Sequence, residues 1–79
     1  MHPMPDADKN SIRLGRRIRE VRHERGWSLA QLAALTGKDK GNLSRIENGR
    51  LPNIPLPTLR SIAKALRVSP GSLLNDRAA

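Results

Sequence analysis

Two short helix patterns, each with its own start signal and glycine stop, follow one another between residues 27 and 49 and limit the possible folds more than any other feature. The first starts at "WSLAQL", where Ser28 and Gln31 have the spacing of a capping box. Trp27 and Leu32 have the spacing of a hydrophobic staple, which assigns Trp27 to packing rather than base stacking. Gly37 ends the helix after about two turns. The predicted apolar stripe is Leu29, Leu32, Ala33 and Leu35.

The second pattern covers residues 39–48, "DKGNLSRIEN". Asp39 is a favourable N-cap residue, and Gly49 follows the last helical position. At about 100° per residue, Leu43 and Ile46 point to one side together with the stem of Glu47. This helix therefore has one face that must pack against the rest of the chain.

The remaining positions of the second helix are polar or glycine. They are Lys40 at the exposed tip, Gly41, Asn42, Ser44, Arg45 and Asn48. Two short helices joined by a glycine-containing turn, the second with a polar outer face, are typical of a helix-turn-helix, whose second helix enters the DNA major groove. Arginine can bond guanine O6 and N7, asparagine can bond adenine N6 and N7, and lysine serves guanine or phosphate. Gly41 costs roughly 1 kcal/mol relative to alanine, which either close approach to a base or drift at an unimportant site would explain.

Three further helices are predicted, and no strand pattern occurs. The first runs from Ser11 as N-cap to a stop at Gly26. The fourth starts at Pro57 after a stiff, extended loop, "RLPNIPLP". The fifth has Ser69 as N-cap and Pro70 in its first position. Their apolar stripes are Leu14, Ile18 and Val21, then Leu59, Ile62, Ala63 and Leu66, then Leu73 and Leu74. The fold class predicted is all-α, a five-helix bundle.

Charge and composition indicate the kind of partner. Fifteen Lys and Arg against seven Asp and Glu leave a net charge of +8, which favours nucleic acid or an acidic surface. Much of the surplus lies on the outer face of the first helix, at Arg13, Arg16, Arg17 and Arg19. The absence of cysteine excludes disulfides and thiolate metal sites. No apolar run approaches the roughly 20 residues of a membrane span. We expect a soluble, cytoplasmic and nucleoid-associated protein without metal or cofactor.

The chain divides into one domain and two tails. Residues 1–10 have two prolines, two aspartates and no apolar period, which is typical of a disordered tail. Residues 11–76 are predicted to form a single helix-turn-helix DNA-binding domain, and residues 77–79 a C-terminal tail.

Four segments, taken together, resemble the phage repressor and Cro group of helix-turn-helix domains, also called the xenobiotic-response-element group. They are "IREVR" at 18–22, "SLAQLAALTG" at 28–37, "LSRIENG" at 43–49 and "LRSIAKAL" at 59–66. The resemblance runs from about residue 12 to residue 75. It implies a compact, lambda-repressor-like bundle that binds operator DNA as a symmetric homodimer, in some cases formed only on DNA, and that regulates transcription, most often as a repressor.

The resemblance also implies roles for individual residues. Positions matching Lys40, Gly41, Ser44 and Arg45 read bases, to which we add Asn42. Positions matching Ser28, Leu29 and Asn48 contact phosphates, to which we add Lys38, Arg50 and Arg22. Arg22 is also expected to form a structural ion pair with Glu47, in agreement with the inward placement of both. The sequence departs from the family at Leu29, where many relatives have glutamine, at Lys38, where a small apolar residue is usual, and in its longer proline-rich loop.

Several alternatives stay open at this stage. An antitoxin or a restriction-system controller would have the same DNA-binding fold, and a protein-interaction module is a rival of a different class. An enzyme is not expected, because His2 and His23 are the only histidines and no carboxylates cluster. We further expect dimerisation through the region around Leu66, Leu73 and Leu74.

Overall fold

Helices account for all regular structure in the computed structural model, which describes residues 9–51 and 54–74. They are α1 (Lys9–Glu24), α2 (Leu29–Thr36), α3 (Lys40–Glu47), α4 (Leu56–Leu66) and α5 (Pro70–Leu74). No strand occurs in those two ranges, and the predicted all-α class with five helices is confirmed. Residues 1–8 of the predicted tail at 1–10 lie outside the described residues, as do the predicted tail at 77–79 and residues 75–76 of the predicted domain. No described helix has the length and apolar character to cross a membrane.

Local capping bonds set most of the helix ends where they were predicted. Gly26 and Gly49, both with φ 73°, terminate α1 and α3, and each is flanked by the paired backbone bonds of a Schellman motif. At the start of α2 both bonds of the capping box form between Ser28 and Gln31. Ser69 accepts a backbone hydrogen bond at the start of α5. All of these bonds join residues within five positions of one another.

The first helix starts earlier than predicted. α1 begins at Lys9, and Ser11, the predicted N-cap, lies inside its first turn with only 4% of its surface exposed. Ser11 lies on the inward stripe with Leu14 and Ile18, at i, i+3 and i+7. It is therefore a buried residue within α1 and does not cap the helix. The assignment of Ser11 as N-cap is therefore wrong, and the helix includes two residues of the predicted tail.

The fourth helix also starts one residue before its predicted position. α4 begins at Leu56, so Pro57 is its second residue rather than its first. Both positions lie in the first turn, where backbone N–H groups have no intrahelical acceptor and a proline removes no helical bond. The N-cap residue, Pro55, provides no side-chain hydrogen bond. Leu56, which was assigned to the loop, is therefore the first residue of α4.

Aliphatic side chains from all five helices meet in one core. α1 packs against α3 and α5, while α2 packs against α3 and α4. The core residues are Leu14, Ile18, Val21, Leu32, Ala33, Leu43, Ile46, Leu59, Ile62, Ala63, Leu66 and Leu73. Trp27 and Leu29 pack against this core while partly buried, which confirms the packing role predicted for Trp27.

Two leucines assigned to apolar stripes lie mainly in solvent. Leu35 is 57% exposed and Leu74 is 60% exposed. Leu32 and Ala33 direct α2 towards the core, and Leu35 lies about 60° from Leu32 but about 160° from Ala33 around the helix. Its assignment to the core stripe is wrong, because the inward face of α2 is narrower than its run of apolar residues.

Candidate nucleic-acid interface

The candidate interface is the outer face of α3, whose orientation depends on a close approach between α1 and α3. Gly15 is buried at their crossing. A Cβ atom added there would lie 2.7 Å from the carbonyl oxygen of Glu47 and 2.8 Å from its carbon, and it would also meet the carbonyl oxygen of Ile46. Gly15 was not among the residues predicted to matter. The available signal was a glycine inside an otherwise strong helix pattern, which often marks close backbone packing.

A buried ion pair also locks α3 against α1. Arg22 Nε and Nη2 donate to the two carboxylate oxygens of Glu47 at 2.7 and 2.9 Å. Its Nη1 donates to the carbonyl oxygen of Trp27 at 2.9 Å. Arg22 and Glu47 are each only 7% exposed, so the two planar groups hold one geometry. The predicted ion pair is present.

Arg22 keeps its charge throughout the accessible pH range. Its hydrogen bonds to Glu47 raise the pKa of Arg22 above the ordinary value, the charge of Glu47 adds to this, and burial opposes it. Because the folded-state pKa is raised, the stability that Arg22 contributes is fully present below the unfolded pKa. It would be lost only in strong alkali.

A tight turn connects α2 to α3. Gly37 has a φ of 69° and ends α2, as predicted. The hydroxyl of Thr36 donates to the carbonyl oxygens of Leu32 and Ala33 and accepts from Lys38 N. The carbonyl oxygen of Ala33 also accepts from the backbone N–H groups of Gly37 and Lys38, so these bonds together satisfy a carbonyl at the end of α2. They also fix where α3 begins.

Gly41 lies next to the capping bond at the start of α3. Asp39 caps the helix, and its Oδ2 accepts from Asn42 N at 3.1 Å. A Cβ atom on Gly41 would lie 2.9 Å from that same Oδ2. That oxygen is the end of a flexible side chain, so a small rotation of Asp39 would relieve the contact, and the contact does not by itself require glycine at position 41.

The outer face of α3 is polar and largely solvent-exposed. Lys40, Gly41, Asn42 and Arg45 are exposed, whereas Ser44 is half-buried. Among the described residues no acidic side chain pairs with Lys40 or Arg45 within salt-bridge distance. All five predicted base-reading positions therefore lie on one short helix, with two cations available for acceptor atoms on a ligand.

The residues predicted to contact phosphate differ in their exposure and in whether their donor groups already bond to the protein. Arg50 is exposed and Lys38 half-buried. Ser28 is exposed, and its hydroxyl hydrogen is not used in accepting from Gln31 N. Asn48 donates from Nδ2 to the carbonyl oxygen of Ser44 at 2.9 Å, so its amide is folded back on α3. Arg22 is the least available of the set, because each guanidinium nitrogen already donates to a protein oxygen.

Two further residues bear on this side of the molecule. Leu29 is half-buried against the core, so its side chain packs, while its backbone N–H lies at the free start of α2. Arg19, which was assigned only to the charged face of α1, lies 3.9 Å from Glu47 with 55% of its side chain exposed. It adds a cation beside α3.

Within residues 9–51 and 54–74, no three His, Cys, Asp or Glu side chains gather as a metal site.

The sequence matches the family model described as "Helix-turn-helix domain" over residues 13–76. It is 38% identical over 64 residues to the HTH-type transcriptional regulator SinR of Bacillus licheniformis, covering 81% of this chain and 58% of that protein. The chain thus spans less than two thirds of that regulator's length.

Two solved structures show the same architecture. The restriction-modification controller protein C.AhdI of Aeromonas hydrophila superposes with a TM-score of 0.79 at 32% identity, covering 84% of this chain and 98% of the other. The N-terminal DNA binding domain of SinR from Bacillus subtilis superposes with a TM-score of 0.77 at 35% identity, covering 84% and 96%. The lambda-repressor-like arrangement inferred from the resemblance is in accord with both.

Proposed function

The chain belongs to the helix-turn-helix domain family, and on that premise we propose that it is a transcriptional regulator binding specific sequences of double-stranded DNA. The observation that carries the proposal is the outer face of α3, a polar, cation-bearing surface on a helix whose other face is locked by the Arg22–Glu47 pair. Such a helix suits insertion into the major groove, where an α-helix fits. No enzymatic activity is proposed.

Arg45 is the main base-reading residue in this proposal. It is exposed on the face opposite the buried Leu43 and Ile46, and its guanidinium can bond guanine O6 and N7 together. Asn42 has the donor and acceptor that adenine requires, and Ser44 can bond either kind of base. Lys40 lies at the tip of α3, where its flexible stem reaches phosphate as well as base. Gly41 has no side chain, so the backbone of the first turn of α3 can approach a base edge closely.

Phosphate contacts orient α3 in the groove. Arg50, Lys38 and the hydroxyl of Ser28 are the strongest candidates, since they keep donor hydrogens free. Asn48 Nδ2 also donates to the hydroxyl oxygen of Ser44 at 3.4 Å, so a phosphate contact from its amide would compete with that longer bond. Arg22 acts mainly by holding Glu47, and a phosphate contact from it would be secondary.

Dimerisation is proposed through a surface that keeps only Leu74 of the three leucines first expected. Leu66 and Leu73 are fully buried in the monomer core, so neither is free to form an interface. Leu74 and Leu56 remain exposed, and Leu74 lies at the end of α5 beside Ile54. A two-fold dimer through this region would place half-sites about one helical turn, 10 to 10.5 base pairs, apart.

We propose repression by occupancy of the operator, in the cytoplasm at the nucleoid.

A restriction-modification controller is the second candidate function. The likeness to C.AhdI covers 98% of that protein, whereas the match to the SinR of Bacillus licheniformis covers 58%. The likeness to C.AhdI is the observation that favours this candidate. A gene for a restriction enzyme beside the coding sequence would favour this candidate over a stand-alone repressor or an antitoxin.

Selection of bound sequences from random duplex DNA tests the proposal most directly. A recovered two-fold repeat would establish sequence-specific binding and the half-site spacing together. In parallel, log affinity should fall with log salt at about 0.9 per phosphate contact, steeply for about six contacts. Recovery of no common sequence, or a slope shallower than about minus 2, would overturn the DNA-reading assignment.

A further inference from the structure

A groove between α2 and α4, lined by no residue of α3, combines an apolar floor with a cationic rim. Trp27, Leu35 and Ala65 form the apolar part, and Lys64 and Arg67 lie at the rim. The groove has a volume of about 490 Å³, within the range of roughly 300–1,000 Å³ that is usual for ligand sites. The exposed Leu35 therefore belongs to a concave surface rather than to an isolated surface leucine.

The charge of the groove selects the chemistry of its occupant. Among the described residues that line it there is no Asp or Glu, while both rim residues, Lys64 and Arg67, are exposed cations. Complementary charge at the rim and apolar contact at the centre are the usual arrangement of a specific interface. An acidic partner with apolar side chains fits both features.

The backbone of Arg67 supplies a second observation. Arg67 is the only non-glycine residue with positive φ in the described part of the chain, at 62°. It is the C-cap of α4, a position that glycine fills without steric cost, and its N–H bonds the carbonyl oxygens of Ala63 and Lys64. The backbone role alone would favour glycine. The arginine side chain adds a cation to the rim of the groove at the expense of local stability.

We infer that this groove docks an acidic peptide segment of a partner protein. Apolar side chains of the segment pack against Trp27 and Leu35, and its carboxylates pair with Lys64 and Arg67. The residues involved are separate from the proposed base-reading and phosphate contacts. The peptide-docking tests can therefore succeed or fail whatever the result of the DNA-binding tests.

Trp27 is the only tryptophan of the chain and reports directly on the groove. The probe is a synthetic amphipathic peptide with leucine on one face and glutamate on the other, titrated at fixed salt while Trp27 emission is followed. We expect a saturable change in emission. Leu35→Gln should weaken binding about tenfold, as at the centre of an interface, without changing the protein's charge. A peptide with lysine in place of glutamate should give no saturable change.

Matched variants separate docking from general attraction to a basic protein. Lys64→Ala should weaken binding several-fold more than Arg60→Ala, an equal charge change at an exposed residue of the same helix that does not line the groove. Arg67→Gly should raise the melting temperature and weaken binding of the acidic peptide. If Arg67 had only a structural role, the substitution would leave peptide binding unchanged. DNA binding should be unchanged in Leu35→Gln.

Three results would overturn the inference. One is equal weakening by Lys64→Ala and Arg60→Ala, and another is unchanged peptide binding in Leu35→Gln. The third is self-association of the free protein, seen by sedimentation, that Leu35→Gln abolishes, since the groove would then hold a second copy of the chain.

Discussion

Both α3 and α4 pack against α2, yet they are held in different ways. α4 has eleven residues and buries Leu59, Ile62, Ala63 and Leu66, with no side-chain cap at its start. α3 has eight residues and buries two aliphatic side chains plus Glu47, with Asp39 as a cap. A short helix that must keep one whole face free buries little apolar area. Directional polar bonds and a close backbone contact fix its orientation instead.

The end of α4 shows that the difference is one of degree. Arg25 Nε and Nη2 both donate to the carbonyl oxygen of Leu66, at 3.0 and 2.7 Å. This bond satisfies a terminal carbonyl of α4, whereas the orientation of the helix comes from its apolar stripe. In α3 a polar interaction sets the orientation of the helix, because the Arg22–Glu47 pair joins α3 directly to α1.

The largest test of this comparison is removal of the Glu47 carboxylate. Glu47→Ala leaves the buried Arg22 without its partner and should lower the free energy of unfolding by about 3–5 kcal/mol, measured by urea denaturation. Glu20→Ala is the matched control, since its pair with Arg17 is exposed and should contribute less than about 1 kcal/mol. A loss in Glu47→Ala no greater than in the control would mean that apolar packing alone holds α3.

The contact between α1 and α3 gives the next largest effect. In Gly15→Ala the new methyl group meets backbone atoms of α3, which cannot rotate away, so the free energy of unfolding should fall by about 1–3 kcal/mol. Gly71→Ala, with nothing within 4 Å of the new atom, should be neutral or slightly stabilising. Thermal denaturation of the pair decides the matter. Equal melting temperatures would show that the helices separate at no cost.

On the free face of α3, Arg45→Ala should act on binding rather than folding. It should cost about 1–3 kcal/mol on the preferred duplex and relax the choice at one base pair per half-site. Lys40→Ala should weaken preferred and scrambled duplexes alike, because its contact is mainly with phosphate. Arg60→Ala controls for the lost charge. If Arg45→Ala weakens both duplexes equally at fixed salt, Arg45 is a positioning residue.

The smallest effect concerns the cap that α3 has and α4 lacks. Asp39→Ala removes the acceptor for Asn42 N and should cost about 1 kcal/mol of stability. Asp39→Asn keeps an acceptor at the same place and should be nearly neutral, although it removes the charge. Equal losses in the two variants would assign the effect to charge rather than to capping, and chemical denaturation distinguishes them.

Sequence patterns predicted the helix-turn-helix well because its signals are local. The capping box at Ser28, the cap at Asp39 and the stops at Gly26 and Gly49 are formed by residues within five positions of one another. Capping bonds of that kind join residues that are close in the sequence, so the residue types at those spacings predict them. The inward direction of Leu43 and Ile46 followed from the helical period in the same way.

Only the tertiary structure decided which predicted features meet. Ser11 is buried rather than capping, and Leu35 borders a groove rather than the core. Gly15 matters because the backbone of α3, about thirty residues further along the chain, lies against it. A single helical pattern defines which residues share a face but not what lies opposite that face. The sequence alone therefore determined the five helices and the polar face of α3, whereas long-range packing determined how that face is held and which apolar residues remain exposed.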